Sequence, residues 1–224
     1  MMSTTLVFGA TGELGQSLCQ RLLESGAEVV AFVRPASEYA VLEKKGATVV
    51  FGDAMRREQV DAAFKRFGRG CRVISTLSGS VGGGVWVDDL GNRNVIDAAK
   101  QAQTERLLLI TAIGCGEMSP FRSPQAIAAF GPMVDAKTRA EDYLRSNEGP
   151  FTIIRPGGLR NEPATGKGIL CTDPEVHGYI HRDDLAALTL CCMGDHQTIG
   201  GVYAAVDRDL ARCVNPLHPV QLSC

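Results

Sequence analysis

The sequence lacks several features that would direct its reading elsewhere. Neither sign of charge dominates: 23 Lys and Arg stand against 25 Asp and Glu, for a formal net charge of −2. There is accordingly no electrostatic case for a nucleic-acid or anionic-membrane partner. No apolar run is long enough to cross a bilayer. The start, Met1-Met2-Ser3-Thr4-Thr5, lacks the charged segment and apolar core of a signal peptide. No two of the eight cysteines form a Cys-x-x-Cys pair, and no ligands cluster at short spacing, so no metal site is expected. Most cysteines sit inside apolar runs and read as small, free core residues in the cytoplasm or an equivalent reducing compartment. Adjacent Cys191 and Cys192 are too close for an ordinary disulfide framework. Internal repeats and interdomain linkers are absent too. These exclusions leave one domain over residues 1–206, with 156–200 as a substrate-side lid region and 207–224 as an irregular, poorly ordered tail.

What is present is an alternation of short β-branched runs with helical patterns. Strands are expected at 4–9, 28–33, 47–51, 71–77, 106–111, 151–155 and 201–206. Helices are expected at 13–25, 37–45, 56–67, 86–103, 133–146 and 183–192, and a hairpin or lid in the Gly/Pro-rich stretch before Pro174. Leu14, Leu18 and Leu22 of the first helix recur at i, i+4 and i+8, and Gly26 stops it. Parallel strands need long crossovers, so the pattern predicts a doubly wound α/β sheet of Rossmann type with helices on both faces. A small carboxyl-terminal extension would lie on the substrate side.

Chemistry enters at Gly9-Ala10-Thr11-Gly12-Glu13-Leu14-Gly15, between the first strand and the first helix. One glycine makes the tight turn, the next admits a pyrophosphate to the backbone, and the third lets helix and strand pack closely. The helix then presents free N–H groups and a positive dipole end to the phosphates. The second strand ends Val33-Arg34-Pro35, without the carboxylate that would accept from the ribose 2′-OH of NAD. A guanidinium there suits a 2′-phosphate, so NADP(H) is favoured over NAD(H). Asp53, followed by Ala54, fits either a bond from the adenine amino group or a helix N-cap. Ser75, Thr76 and Leu77 end the fourth strand at the same edge. Lys137 shares a helix face with Met133, Ala140 and Leu144, so it must snorkel or meet a partner, a ribose hydroxyl being one. Asn94 reads as a satisfied amide ordering the site floor. His177, Tyr179 and His181 are the remaining candidate proton donors, with helix capping the better reading at His181.

These segments resemble the atypical short-chain dehydrogenase/reductase superfamily, in its NAD(P)H-binding branch of NmrA-like and biliverdin reductase B-like proteins. The carrying residues are Gly9–Gly15, Phe32–Arg34, Gly52-Asp53, Asp89–Ala99, Leu107–Gly114, Ile154–Gly157 and Tyr179–Ala186. The resemblance implies cofactor binding by the loop (Gly9, Thr11, Gly12, Glu13, Leu14, Gly15), by Arg34 and by Asp53, and Ala54 beside Asp53 is taken with it as a cofactor-side candidate. From their place at the sheet edge, Ser75, Thr76 and Leu77 are expected either to line the adenine-ribose side or to be ordinary core, and Pro156, Gly157 and Gly158, ending the sixth strand, to bring backbone close to the nicotinamide. The resemblance implies catalytic positions at Thr111, which ends the fifth strand, and at Lys137, the lysine of a Tyr-x-x-x-Lys pair. The tyrosine's place is held by Met133. Methionine transfers no proton, so ordinary carbonyl chemistry and sugar epimerisation are disfavoured. The expectation is hydride transfer from NADPH to a conjugated flavin-, quinone- or tetrapyrrole-like acceptor, by a monomer or homodimer. The alternative is a non-catalytic NADP(H) redox sensor or assembly factor.

Overall fold

The computed structural model describes residues 4–67 and 70–223. The amino-terminal half delivers the expected alternation: β1 (Thr5–Phe8), α1 (Glu13–Glu24), β2 (Val29–Val33), α2 (Ala40–Lys44), β3 (Thr48–Phe51), α3 (Arg57–Phe67) and β4 (Arg72–Ser75). A small hairpin, β5 (Ser80–Gly82) and β6 (Val85–Trp86), comes next, then α4 (Leu90–Ala102), β7 (Arg106–Ile110) and α5 (Pro124–Ser146). The remainder comprises β8 (Phe151–Pro156), β9 (Gly158–Arg160), β10 (Gly168–Cys171), β11 (Tyr179–His181), α6 (Arg182–Gly194) and β12 (Val202–Asp207).

Eight strands form one sheet in the order β10-β12-β8-β7-β4-β1-β2-β3, and every pairing is parallel except β10 with β12. β1, β2 and β7 are buried along their whole length, as strands covered on both faces must be. Alternate residues serve opposite layers. Val7, Ala31, Leu108 and Ile110 pack with Leu14, Leu18 and Leu22 of α1 and Leu185 of α6. Leu6, Phe8, Phe32 and Leu109 pack with Val60 and Phe64 of α3, Val95 of α4 and Leu144 of α5. That is a Rossmann-like α/β fold. The strand order reverses at β1, between β2 and β4, and ligands of such sheets bind outside the carboxyl ends of the strands at this switch point.

Several elements differ from expectation: α2 begins at Ala40, β4 ends at Ser75, and the stretch before Pro174 holds β9 and β10, which pair with β11 and β12 and not with each other as a hairpin. α4 begins at Leu90 rather than near Trp86, because Gly82, Gly83 and Gly84, all at positive φ, turn the chain so that Val85–Trp86 pairs back on Ser80–Gly82. α5 runs 23 residues instead of starting at Met133. Ser123 caps it, its Oγ accepting from Ala126 N at 3.1 Å with Pro124 at the first helical position, and Pro132 is carried inside the helix. The tail is irregular but tied down: Val220 N donates to Leu170 O at 2.8 Å, and Leu217, Val220 and Leu222 pack on the core.

The cysteines divide. Cys19, Cys71, Cys115, Cys171 and Cys192 are free and buried, and burial pushes the thiols of Cys19 and Cys115 up to about 12. Cys191 departs from the expectation of free cysteines made for most of them, being disulfide-bonded. Among the described residues, no helix is long and apolar enough to cross a membrane.

Candidate functional site

The glycine loop has the geometry of a phosphate cradle. Gly9 takes φ +80°, and a Cβ there would lie 2.4 Å from Thr76 Oγ1 and 2.9 Å from the Thr76 carbonyl carbon. A Cβ on Gly15 would lie 2.2 Å from Gly9 O, so only glycine lets α1 pack this closely on the turn. Gly12 is the N-cap of α1 and carries no side-chain cap, which leaves first-turn N–H groups of the helix for a ligand. Thr76 closes the turn from β4, with its N donating to Phe8 O at 2.9 Å. Side chains at Gly9 and Gly15 would clash with the turn itself, so glycine keeps it tight, and the uncapped helix start at Gly12 is left for a dinucleotide pyrophosphate.

From this loop a cleft of about 950 Å³ extends along the carboxyl edge of the sheet. It is lined by Gly12, Glu13, Leu14 and Gly15 at one end, by Thr76, Thr111 and Lys137 in the middle, and by Pro156, Gly157 and Gly158 beyond. Arg34, Asp53 and Ala54 lie outside this lining, after β2 and β3 on the other side of the switch point. Arg34 is exposed and has no side-chain partner among the described residues. Asp53 is built into a local turn, its Oδ1 accepting from Met55 N at 2.9 Å while its own N donates to Gln59 Oε1 at 2.7 Å. The Ser75 hydroxyl is buried and donates to Asn92 Oδ1 at 2.5 Å, and Leu77 packs against the layer of α3 and α4. β4 ends at Ser75, two residues earlier than expected. Gly9 and Thr11 shape the loop without lining the cleft; Thr11 O accepts from Gln16 Nε2 at 2.9 Å.

The central residues have partners that sequence reasoning missed. Lys137 is buried and pairs with Asp88, Nζ to Oδ1 at 2.6 Å, and Asp88 is itself wholly buried. Asp88 also accepts from Ser78 Oγ and from Gly79 N, each at 2.8 Å. Ser78 in turn reaches Met133 Sδ at 3.9 Å. Thr111 donates its hydroxyl to Glu141 Oε1 at 2.6 Å. Glu141 is fully buried on α5 and held by Arg155, with Nη2 to Oε2 at 2.5 Å. Burial works to lower the pKa of the Arg155 guanidinium, but the Glu141 and Glu117 carboxylates outweigh it and the net shift is upward. Asp88 and Glu141 carried no local signal: Asp88 becomes a site residue only when the segment before α4 meets Lys137 of α5, and Glu141 only when α5 packs on the ends of β7 and β8. Asn94 performs as expected, its Nδ2 donating to Ala54 O at 2.8 Å.

His177 and Tyr179 line the cleft, whereas His181 does not. His181 is the N-cap residue of α6 and lies buried with Nδ1 3.7 Å from both Asp184 Oδ2 and Asp207 Oδ2. Asp184 closes the lid segment by accepting from Thr165 N at 2.8 Å and Gly166 N at 2.9 Å. Arg182 ties that lid to the loop, donating to Glu13 Oε2 at 2.9 Å.

A family model described as NAD(P)H-binding matches residues 9–196, from the first glycine of the loop to two residues past the end of α6. The chain belongs to that family. Its relatives place it with the atypical, NmrA-like short-chain dehydrogenase/reductases, an oxidoreductase-type group. ChuY from Escherichia coli O157:H7, described as an anaerobillin reductase, superposes with a TM-score of 0.86 at 36% identity, covering 93% of this chain and 98% of that one. YhfK of Bacillus subtilis, described as an uncharacterized sugar epimerase, is 30% identical over 91% of this chain and 94% of its own length. The Photosystem II assembly factor Ycf39 of Cyanophora paradoxa is 30% identical over 69% of this chain, which spans 45% of Ycf39.

Proposed function

We propose that this protein is an NADPH-dependent reductase that delivers a hydride to a conjugated, electron-poor acceptor of flavin, quinone or tetrapyrrole type. The observation that carries this reading is the cleft itself. It runs without interruption from the glycine cradle to an apolar region walled by Met133, Phe121, Phe130, Leu159 and Tyr179. When bound, NADPH would supply the hydride. The chain's own residues do the rest: α1 and its loop hold the pyrophosphate, and the unpartnered Arg34 takes the 2′-phosphate. Lys137, anchored by Asp88, keeps donors for a ribose hydroxyl. Thr111 is a positioning group, since its proton is committed to Glu141. Met133 adds apolar surface and no proton, so an acceptor protonated by solvent suits the cleft better than a simple carbonyl. The same residue counts against sugar epimerisation. The likeness to ChuY supports a reductase.

NADPH oxidation followed by absorbance should accelerate when flavins, quinones or linear tetrapyrroles are added. Tight NADPH binding with no turnover across that panel would overturn the enzymatic reading. The cofactor choice has its own check, in which Arg34→Asp weakens NADPH binding about ten-fold or more and leaves NADH binding nearly unchanged, as loss of a charge-assisted contact worth about 1.5–3 kcal/mol requires. Equal weakening of both cofactors would remove the 2′-phosphate role. A second reading, a redox sensor or assembly factor, is favoured by the match to Ycf39 together with Met133. It requires a protein partner whose affinity differs between the NADPH-bound and NADP⁺-bound forms.

A further inference from the structure

The strand order sets out the site's groups in a line. Arg34 follows β2, the glycine loop follows β1, Thr76 follows β4, Thr111 follows β7, and Gly157 follows β8. Adjacent strands are about 4.8 Å apart, so three steps from β1 to β8 span about 14 Å. A dinucleotide whose pyrophosphate sits on the loop and whose 2′-phosphate lies toward Arg34 therefore directs its other end toward β8. The cleft does not stop there. Its far wall is made by His177, Gly178, Tyr179 and Arg212.

Arg212 belongs to the irregular tail after β12, yet its backbone is fixed. His177 N donates to Arg212 O and Arg212 N to His177 O, both at 2.8 Å. Gly178 makes the approach possible: its φ is +147°, and a Cβ on it would lie 2.5 Å from Leu210 O. The cleft's other two arginines are already spoken for. Arg122 pairs with Asp135 at 2.8 Å and Arg182 with Glu13 at 2.9 Å. Arg212 is exposed and has no side-chain hydrogen bond or ion pair among the described residues. An unpaired guanidinium on an anchored backbone, beside apolar walls, is a receptor for a carboxylate or phosphate.

We propose that Arg212 recognises an anionic arm of the acceptor, so that the preferred acceptor is a planar conjugated ring system bearing an acidic side chain. This rests on the reductase reading of the same cleft. It makes Arg212 a specificity residue, distinct from the cofactor-binding groups on the opposite side of β8.

The test compares probes that differ only in the charged group. FMN and riboflavin share one ring system with and without a phosphate, and anthraquinone-2-carboxylate and its methyl ester do the same for a carboxylate. Binding of each to the NADP⁺-loaded full chain, measured by fluorescence or calorimetry, needs no turnover. Arg212→Ala should weaken at least one charged probe by about 10- to 100-fold, the loss expected for a charge-assisted hydrogen bond. It should leave riboflavin, the methyl ester and NADP⁺ unchanged, and Arg212→Lys should recover part of the loss. A loss confined to FMN identifies a phosphate arm, and one confined to the carboxylate an acid arm. If charged and uncharged probes change alike, or none changes, the role of Arg212 falls while the reductase reading stands. If the wild-type chain binds none of the four, the acceptor reading falls and the proposal with it.

Discussion

At the scale of single residues, the pair under the cleft is the most consequential contact. Lys137 and Asp88 are both buried, 2.6 Å apart. Removing one partner strands the other charge in a medium that solvates it poorly, at a cost of about 3–5 kcal/mol. Asp88→Asn should therefore lower stability by about that amount in urea unfolding, although Asn is nearly isosteric. The double variant Asp88→Asn with Lys137→Met should regain much of it, because neutralising both members of a buried pair is often close to neutral. Equal losses in the single and double variants would mean that the charge pairing is not what stabilises this contact between α5 and the segment before α4.

At the scale of elements, the loop and α1 separate binding from folding. Gly15 packs against backbone atoms that cannot yield, with Gly9 O at 2.2 Å and Ala10 Cα at 2.8 Å from a built Cβ. Gly12 has an ordinary negative φ of −71°, and its Cβ would meet nothing nearer than Gly9 O at 3.4 Å. Gly15→Ala should thus lower the melting temperature by forcing α1 away from β1. Gly12→Ala should melt like the wild type while losing NADPH affinity, since a methyl group at the cap stands where the pyrophosphate must approach. Calorimetric melting and cofactor titration of the two variants give both readouts; a Gly15→Ala protein as stable as the wild type would refute the close-packing role.

For the molecule as a whole, acid should act unevenly. Burial opposes ionisation of Glu117, but hydrogen bonds from its own backbone N–H and from Arg155 and Arg145 outweigh it and hold the carboxyl down at about 2. Asp195 is lowered by the N–H groups of Ser223 and Gln197. Asp207 is lowered too: burial opposes ionisation, and bonds from Thr165 and the Asp209 N–H prevail. A carboxyl whose pKa is depressed on folding stabilises the native state above its unfolded value and loses that contribution as pH falls through the folded value. For Glu117 the window runs from 4.5 down to about 2. The urea midpoint should fall across that range, and hydrogen exchange should report the first opening in the half containing Glu117, Asp195 and Asp207 rather than in β1–β3. Uniform opening would count against it.

How much was legible in advance follows from the range of the forces involved. The order of strands and helices, the Rossmann-like class, the glycine cradle and the positions of Arg34, Thr111 and Lys137 were set by local patterns: buried β-branched runs, i, i+4 leucines and a glycine spacing that no side chain could satisfy. The limits of β4 and α4 were not legible, because a hairpin at the Gly82–Gly84 turn competes with helix extension through backbone pairing that periodicity does not reveal. Nor was the true start of α5, where a Ser-Pro cap lies upstream of Pro132, a residue that a helix interior normally excludes. The partners of Lys137 and Thr111, and the placement of Arg212 at the far wall of the cleft, are contacts between residues distant in the chain. Electrostatic pairing and cleft shape depend on which surfaces meet, so the sequence by itself specified the cradle for the cofactor. Only the tertiary structure decided what stands around it.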